Sequence, residues 1–304
     1  MTTSAMVAST ERDVGSITLR DYQQSGVSGI RSAFAQGASS VLFVLPTGGG
    51  KSLCYQIPAM LRPGLGLVIS PLIALMTDQV AALRQSGVAA ARLDSNIDQM
   101  ERQETWARMD RGELDLLYVS PEGLMQPAML DRLRRTPLSL IAIDEAHCVS
   151  QWGHDFRPEY RALTVLHERY PGVPRIALTA TADPVTRADI IERLALRQAR
   201  VFITSFDRPN ISYTIVQRDK PREQLRDFLA KHRDASGIVY CLSRKKVEAT
   251  AEWLSEQGIR ALPYHAGMDG RIRSRNQDAF LTEDGLCLVA TVAFGMGIDK
   301  PDVR

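Results

Sequence analysis

Pro46-Thr47-Gly48-Gly49-Gly50-Lys51-Ser52 places three glycines, an ammonium and a hydroxyl between the apolar run Val41-Leu45 and the helix-like Leu53-Met60. Glycines adopt backbone angles closed to other residues and let N–H groups approach an anion, while a helix start adds free donors and a favourable dipole. Strand, loop and helix in this order form a phosphate-binding P-loop. In such a loop Thr47, Gly48, Gly49 and Gly50 cradle ATP phosphates, Lys51 contacts the β- and γ-phosphates, and Ser52 ligates Mg2+. About ninety residues on, Asp144-Glu145-Ala146-His147 follows the apolar strand Leu140-Ile143. A carboxylate at a strand end can hold the Mg2+ shell, and one beside it can position and deprotonate the attacking water. Asp144 takes the metal role and Glu145 the water role, and His147 is read as the link from the nucleotide site to a second domain. A dinucleotide oxidoreductase is disfavoured, because Lys-Ser after the glycines suits terminal phosphates and not a bridging pyrophosphate.

Composition agrees with this chemistry without specifying it. Residues 1 to 206 hold twenty arginines and one lysine, and that lysine is Lys51. A compact ammonium serves a phosphate cradle where a branched guanidinium does not fit. The net charge of +2 is too small to argue for nucleic acid by itself. Cys54, Cys148, Cys241 and Cys287 stand far apart with no CxxC pair, so reduced thiols and no zinc are expected. No segment approaches the roughly 18 apolar residues of a membrane span, which predicts a soluble intracellular protein with no membrane partner.

The elements that must position these residues alternate in type. Val41-Leu45, Leu67-Ser70, Leu116-Val119, Leu140-Ile143 and Ile176-Thr179 read as strands, with helix-like Ile73-Gln85 and Pro184-Leu194 among them. That alternation predicts an α/β fold, a parallel sheet covered by helices on both faces, with ligands at the carboxyl ends of the strands. A second, shorter set has strands Ile238-Cys241, Arg260-Tyr264 and Leu286-Ala290 around the helix Arg244-Gln257. Length and pattern divide the chain into a polar tail over 1–17, a first domain over 18–206 and a second over 207–304, with the junction near 205 to 210.

The run Asp144-Glu145-Ala146-His147-Cys148-Val149-Ser150-Gln151-Trp152-Gly153-His154-Asp155-Phe156-Arg157-Pro158-Glu159-Tyr160 resembles the RecQ family of superfamily 2 DNA helicases, and the resemblance extends over residues 18 to 304. It implies two RecA-like parallel-sheet domains in tandem and a 3′-to-5′ motor acting on single-stranded and partly duplex DNA in repair and recombination. In the family the segment after the acidic pair senses single-stranded DNA, which assigns Trp152 and Phe156 to bases, with His154 and Arg157 beside them. Aromatic stacking on bases of any sequence is worth ~1–3 kcal/mol each. Leu19-Arg20-Asp21-Tyr22-Gln23 resembles the adenine-recognition motif, implying Arg20 and Gln23. Ser70-Pro71-Leu72 and Ser120-Pro121-Glu122 resemble DNA-backbone motifs, which assigns Pro71 to DNA, and Leu178-Thr179-Ala180-Thr181-Ala182 resembles the motif coupling hydrolysis to unwinding. In the second domain, the stretches around Ser243, His265 and Thr291 resemble backbone-contacting motifs, and Gly297 and Asp299 belong near the nucleotide. Arg244-Lys245-Lys246 and Arg271, Arg273 and Arg275 read as solvated helix faces.

In the family a further strand and an arginine-bearing helix follow the last of these motifs, whereas this sequence ends at Arg304. An incomplete second domain with exposed apolar sheet edge is therefore expected. Such a fragment of a larger helicase binds ATP·Mg2+ but hydrolyses it slowly, since an arginine finger is worth on the order of 10³-fold or more. The competing readings are an RNA-dependent ATPase of the same superfamily and a non-hydrolysing nucleic-acid-binding fragment. The compartment expected is the bacterial cytoplasm, at the nucleoid, or the eukaryotic nucleus.

Overall fold

In the computed structural model, residues 21–46, 49–151, 156–180, 183–204, 211–292, 294–295, 300 and 302–303 are described. The chain divides into two compact units, Met1–Asp207 and Arg208–Arg304. The junction read near 205 to 210 lies outside the described residues, as do the tail over 1–17 and Arg20, Thr47, Gly48, Trp152, His154, Gly297 and Asp299.

In chain order the first unit runs α1 (Asp21–Ala35), β1 (Ser40–Val44), α2 (Lys51–Met60), β2 (Leu65–Ile69), α3 (Ile73–Gln85), β3 (Ala90–Leu93), α4 (Gln99–Asp110), β4 (Leu116–Val119), α5 (Pro121–Leu124), α6 (Pro127–Leu133), β5 (Leu138–Ile143), α7 (Pro158–Arg161), α8 (Val165–Arg169), β6 (Arg175–Thr179), α9 (Pro184–Arg193) and β7 (Arg200–Ile203). Its sheet has the order β3-β4-β2-β5-β6-β1-β7, and each neighbouring pair is parallel. Parallel strands need crossovers, and the connecting helices cover both faces. Side chains alternate accordingly. Leu42 and Val44 join Leu67, Ile69, Ile141 and the helical residues Leu133 and Ile190 in one core. Val41 and Phe43 join Val68, Leu140, Ile30 and Tyr55 in the other.

Seven strands stand where five were read. Strand β3, Ala-Ala-Arg-Leu, lacks the β-branched residues that mark a strand, and its burial comes from pairing with β4. Strand β7 lies at the sheet edge beside β1 and is largely exposed, so it shows no buried alternation.

The second unit contains α10 (Pro221–Ala230), β8 (Gly237–Tyr240), α11 (Arg244–Glu256), β9 (Ala261–Tyr264), α12 (Gly270–Thr282) and β10 (Cys287–Ala290), and its parallel sheet has the order β8-β10-β9. Val247, Ala251 and Leu254 pack on Val289 on one side of the sheet, and Phe280 packs with Leu288 and Phe294 on the other. Tyr240, Leu242 and Val292 are exposed. Among the described residues no helix is long and apolar enough to cross a membrane.

Candidate nucleotide and nucleic-acid site

Strand order decides which loops meet. In the first sheet β6 lies between β5 and β1, so their carboxyl ends bring Asp144, Thr179 and the loop before α2 side by side. Leu45 N–H donates to the Thr179 carbonyl at 3.1 Å, and Asp144 N–H donates to the Ile69 carbonyl at 2.8 Å, which pins these ends to the sheet.

Helix α2 begins at Lys51 after Gly50, whose φ of 75° lies in the left-handed region. A Cβ there would also stand 2.0 Å from Gln23 Nε2, so the conformation requires glycine and any side chain would displace the Gln23 amide. At Gly49 a Cβ would meet the Pro46 carbonyl at 2.9 Å. Among the described residues no side chain caps the start of α2, a helix N-terminus of the kind that suits an anion, although Leu53 N–H already bonds the Gly50 carbonyl at 3.2 Å. Gln23, on α1 and buried, reaches this loop and donates from Nε2 to the Gly49 carbonyl at 3.4 Å.

Asp144 directly follows β5, with 4% exposure. Burial pushes its carboxyl up from the usual range, while the Lys51 ammonium and the Glu145 N–H, 3.0 Å from Oδ1, act in the opposite direction. A buried carboxylate whose desolvation is not fully offset favours a cation nearby. Glu145 holds a left-handed backbone, φ 46°, unusual for a side-chain-bearing residue and of the kind concentrated at functional sites. Its Oε2 lies 3.3 Å from His147 Nδ1, and Thr179 Oγ1 lies 3.0 Å from the same nitrogen. Glu145 and Thr179 thus both stand against His147 Nδ1, and a proton on that nitrogen would face the Glu145 carboxylate. His147 therefore ties the end of β6 to the acidic pair within the first unit.

The segment after the acidic pair folds back onto it. Tyr160 OH donates to the Asp144 carbonyl at 2.8 Å, Arg157 N–H donates to the Cys148 carbonyl at 2.8 Å, and the Arg157 guanidinium reaches the Pro71 carbonyl at 3.3 Å. Two loops read separately as DNA contacts, at Pro71 and Arg157, are thus joined. Arg161 stacks over the Phe156 ring, 4.9 Å from its centroid. Beside Pro71, the Ser70 hydroxyl is buried without a hydrogen-bond partner among the described residues.

In the second unit Ser243 caps α11, accepting from Lys246 N–H at 3.4 Å. His265 is 3% exposed, with Nε2 3.1 Å from Glu248 Oε1 and Nδ1 accepting from Gly267 N–H at 3.2 Å. Both its nitrogens are engaged inside the unit. Thr291 follows β10, and its N–H donates to the Tyr264 carbonyl at 3.3 Å. Arg244, Lys245, Lys246, Arg271 and Arg275 are exposed on helix surfaces.

Sequence reasoning missed Gln79 on α3, whose Nε2 donates to Ser52 Oγ at 2.9 Å, and also Tyr55, Tyr118 and Tyr160. The available signal was a tyrosine within an otherwise apolar buried strand, Leu116-Leu117-Tyr118-Val119, because a buried phenol requires a partner.

Two α/β units, with a P-loop after β1 and Asp-Glu-Ala-His after β5, define a helicase core of the DEAD/DEAH class. The DEAD/DEAH box helicase family matches residues 21–190, and the helicase conserved C-terminal domain matches residues 220–304. The ATP-dependent DNA helicase RecQ of Haemophilus influenzae is 49% identical over 270 residues, 89% of this chain and 44% of the relative. RecQ of Bacillus subtilis is 41% identical over 262 residues, 86% of this chain and 44% of the relative. The solved structure of the DUF1998 helicase MrfA bound to DNA and AMPPNP superposes with a TM-score of 0.68 at 20% identity, over 94% of this chain and 43% of that one, and shows the same tandem RecA-like fold. This chain belongs to the RecQ family of DEAD/DEAH box helicases. It spans less than half the length of these curated relatives.

Proposed function

We propose that this chain is the ATP-driven motor of a RecQ-type DNA helicase, moving 3′ to 5′ on single-stranded DNA and opening duplex DNA in repair and recombination. The observation that carries the reading is the buried Asp144 carboxylate, raised by burial and opposed by Lys51, at the strand end beside the uncapped start of α2. Such a carboxylate fits Mg2+, which binds through one or two protein oxygens together with substrate phosphates. Asp144 and Ser52 hold the ion, which supplies charge neutralisation for the phosphates. Lys51 and the Thr47–Gly50 backbone hold the phosphates, and Glu145, steadied by His147, orients the attacking water. Arg20 and Gln23 are assigned to adenine recognition, and Gly297 and Asp299 to the nucleotide. Trp152, His154, Phe156, Arg157 and Pro71 form the single-strand track of the first domain, with Ser243 and Thr291 that of the second. His265 contributes by shaping the turn at Gly267. The Arg157–Pro71 contact supports a single track, since it joins the two loops.

Binding of a non-hydrolysable ATP analogue, measured with oligo-dT or oligo-rU present, tests the reading. DNA should tighten Mg2+-dependent analogue binding, and the analogue should change DNA affinity by the same factor. Equal or stronger coupling to the RNA would instead assign an RNA-dependent ATPase.

A further inference from the structure

Gln79 stands on α3, the helix that follows the Ser70-Pro71-Leu72 strand end, yet its side chain reaches the nucleotide loop. Its Nε2 donates to Ser52 Oγ at 2.9 Å, while its Oε1 accepts from Tyr55 OH at 2.7 Å. The one hydroxyl hydrogen of Tyr55 is thereby used. In the 3.3 Å contact between the two phenols, Tyr118 must donate and Tyr55 accept. Tyr118 in turn accepts from Gln56 Nε2 at 2.8 Å. Every donor in the series Gln56, Tyr118, Tyr55, Gln79, Ser52 points the same way. Turning the Gln79 amide over would reverse both tyrosine hydroxyls, and the Tyr118 hydrogen would find an acceptor only if the Gln56 amide turned as well. Both rings are fully buried, where an unmade hydrogen bond is costly.

The direction of the series matters at its end. A hydroxyl oxygen has one hydrogen and two lone pairs, so a bond from Gln79 occupies one lone pair of Ser52 and leaves the other to face a cation. Aligned bonds in a low-dielectric interior strengthen one another, which narrows the rotation of the Ser52 hydroxyl. We infer that Gln79 is a positioning residue for this site, holding the Ser52 hydroxyl ready for Mg2+ and joining it through α3 to the Pro71 turn. The inference rests on the nucleotide-site reading above.

A fluorescent ATP analogue titrated against the chain at a series of Mg2+ concentrations, and in excess EDTA, tests it. Groups that orient a metal ligand typically change metal affinity 10–100-fold, so Gln79→Ala should raise the Mg2+ midpoint about tenfold and leave the affinity in EDTA unchanged. Tyr118→Phe, which breaks the series upstream and keeps Gln79, should shift the midpoint the same way and by less. An unchanged midpoint in a folded Gln79→Ala overturns the inference, as does an equal loss of binding in EDTA and in Mg2+, which would assign Gln79 to packing. If Gln79→Ala does not fold, Tyr118→Phe decides on the same criteria. Absence of Mg2+-dependent binding by the parent chain would overturn the nucleotide-site reading itself, a result distinct from a failure confined to the variants.

Discussion

Tyr160 donates its hydroxyl to the backbone carbonyl of Asp144 at 2.8 Å, which ties the end of the post-DEAH segment to the residue that opens it. Movement in that segment therefore reaches the backbone of the buried carboxylate through one bond. Tyr160→Phe leaves the carbonyl without this donor at a site with no exposure, which costs ~1–3 kcal/mol. Urea unfolding should show the loss. A variant as stable as the parent would mean that the bond contributes nothing to the fold.

Gly50→Ala places a side chain where φ is 75° and where Gln23 Nε2 stands 2.0 Å away. The left-handed conformation alone costs roughly 1–2 kcal/mol in a residue with a Cβ. Gln23 must also withdraw from the loop. Thermal melting should fall by several degrees, and ATP-analogue affinity should drop about tenfold, equivalent to ~1.4 kcal/mol. Wild-type affinity in this variant would show that the loop reaches its binding geometry without the conformation described.

Thr179→Val keeps the shape of β6 and removes the hydroxyl 3.0 Å from His147 Nδ1. The His147 ring then loses one partner, and its hold on Glu145 weakens. Analogue affinity should stay within about twofold while the hydrolysis rate, relative to the parent chain, falls about tenfold, the scale of one net hydrogen bond. Equal losses in binding and rate would place Thr179 in ground-state contact with the nucleotide.

Much of the fold was legible because its strands are short apolar runs ending in motif residues. Helix α3 was read over the same residues it occupies, Ile73 to Gln85, since its ends are set by the Pro71 turn and by Gly87. Strands β3 and β7 escaped because one lacks β-branched residues and the other lies exposed at an edge. Within the candidate site, residues adjoining strand ends could be named from local pattern. Gln79 could not. The link from β1 to β2 crosses β6 and β5, and only that crossover brings α3 beside α2, so a contact spanning 27 residues leaves no local trace.

The cysteines offer a check on the cores that is independent of nucleotide. Burial pushes the Cys54 and Cys287 thiols up to about 11. At pH 8 only ~10⁻³ of either is the reactive thiolate, and both are buried. Iodoacetamide should modify these two slowly in the native chain and fully after unfolding. Native labelling as fast as for free cysteine would contradict the packing of α2 against β1 and of β10 in its sheet.

Lys51 and Asp144 are proposed to frame an ATP·Mg2+ site. Calorimetric titration of Mg2+ and a non-hydrolysable ATP analogue into the parent chain and into Lys51→Ala tests it most directly, with single-stranded DNA affinity measured on both proteins. One-to-one binding is expected for the parent, with binding weaker by about 100-fold in the variant, corresponding to ~2.8 kcal/mol, and unchanged DNA affinity. Equal nucleotide binding by the two proteins would contradict it.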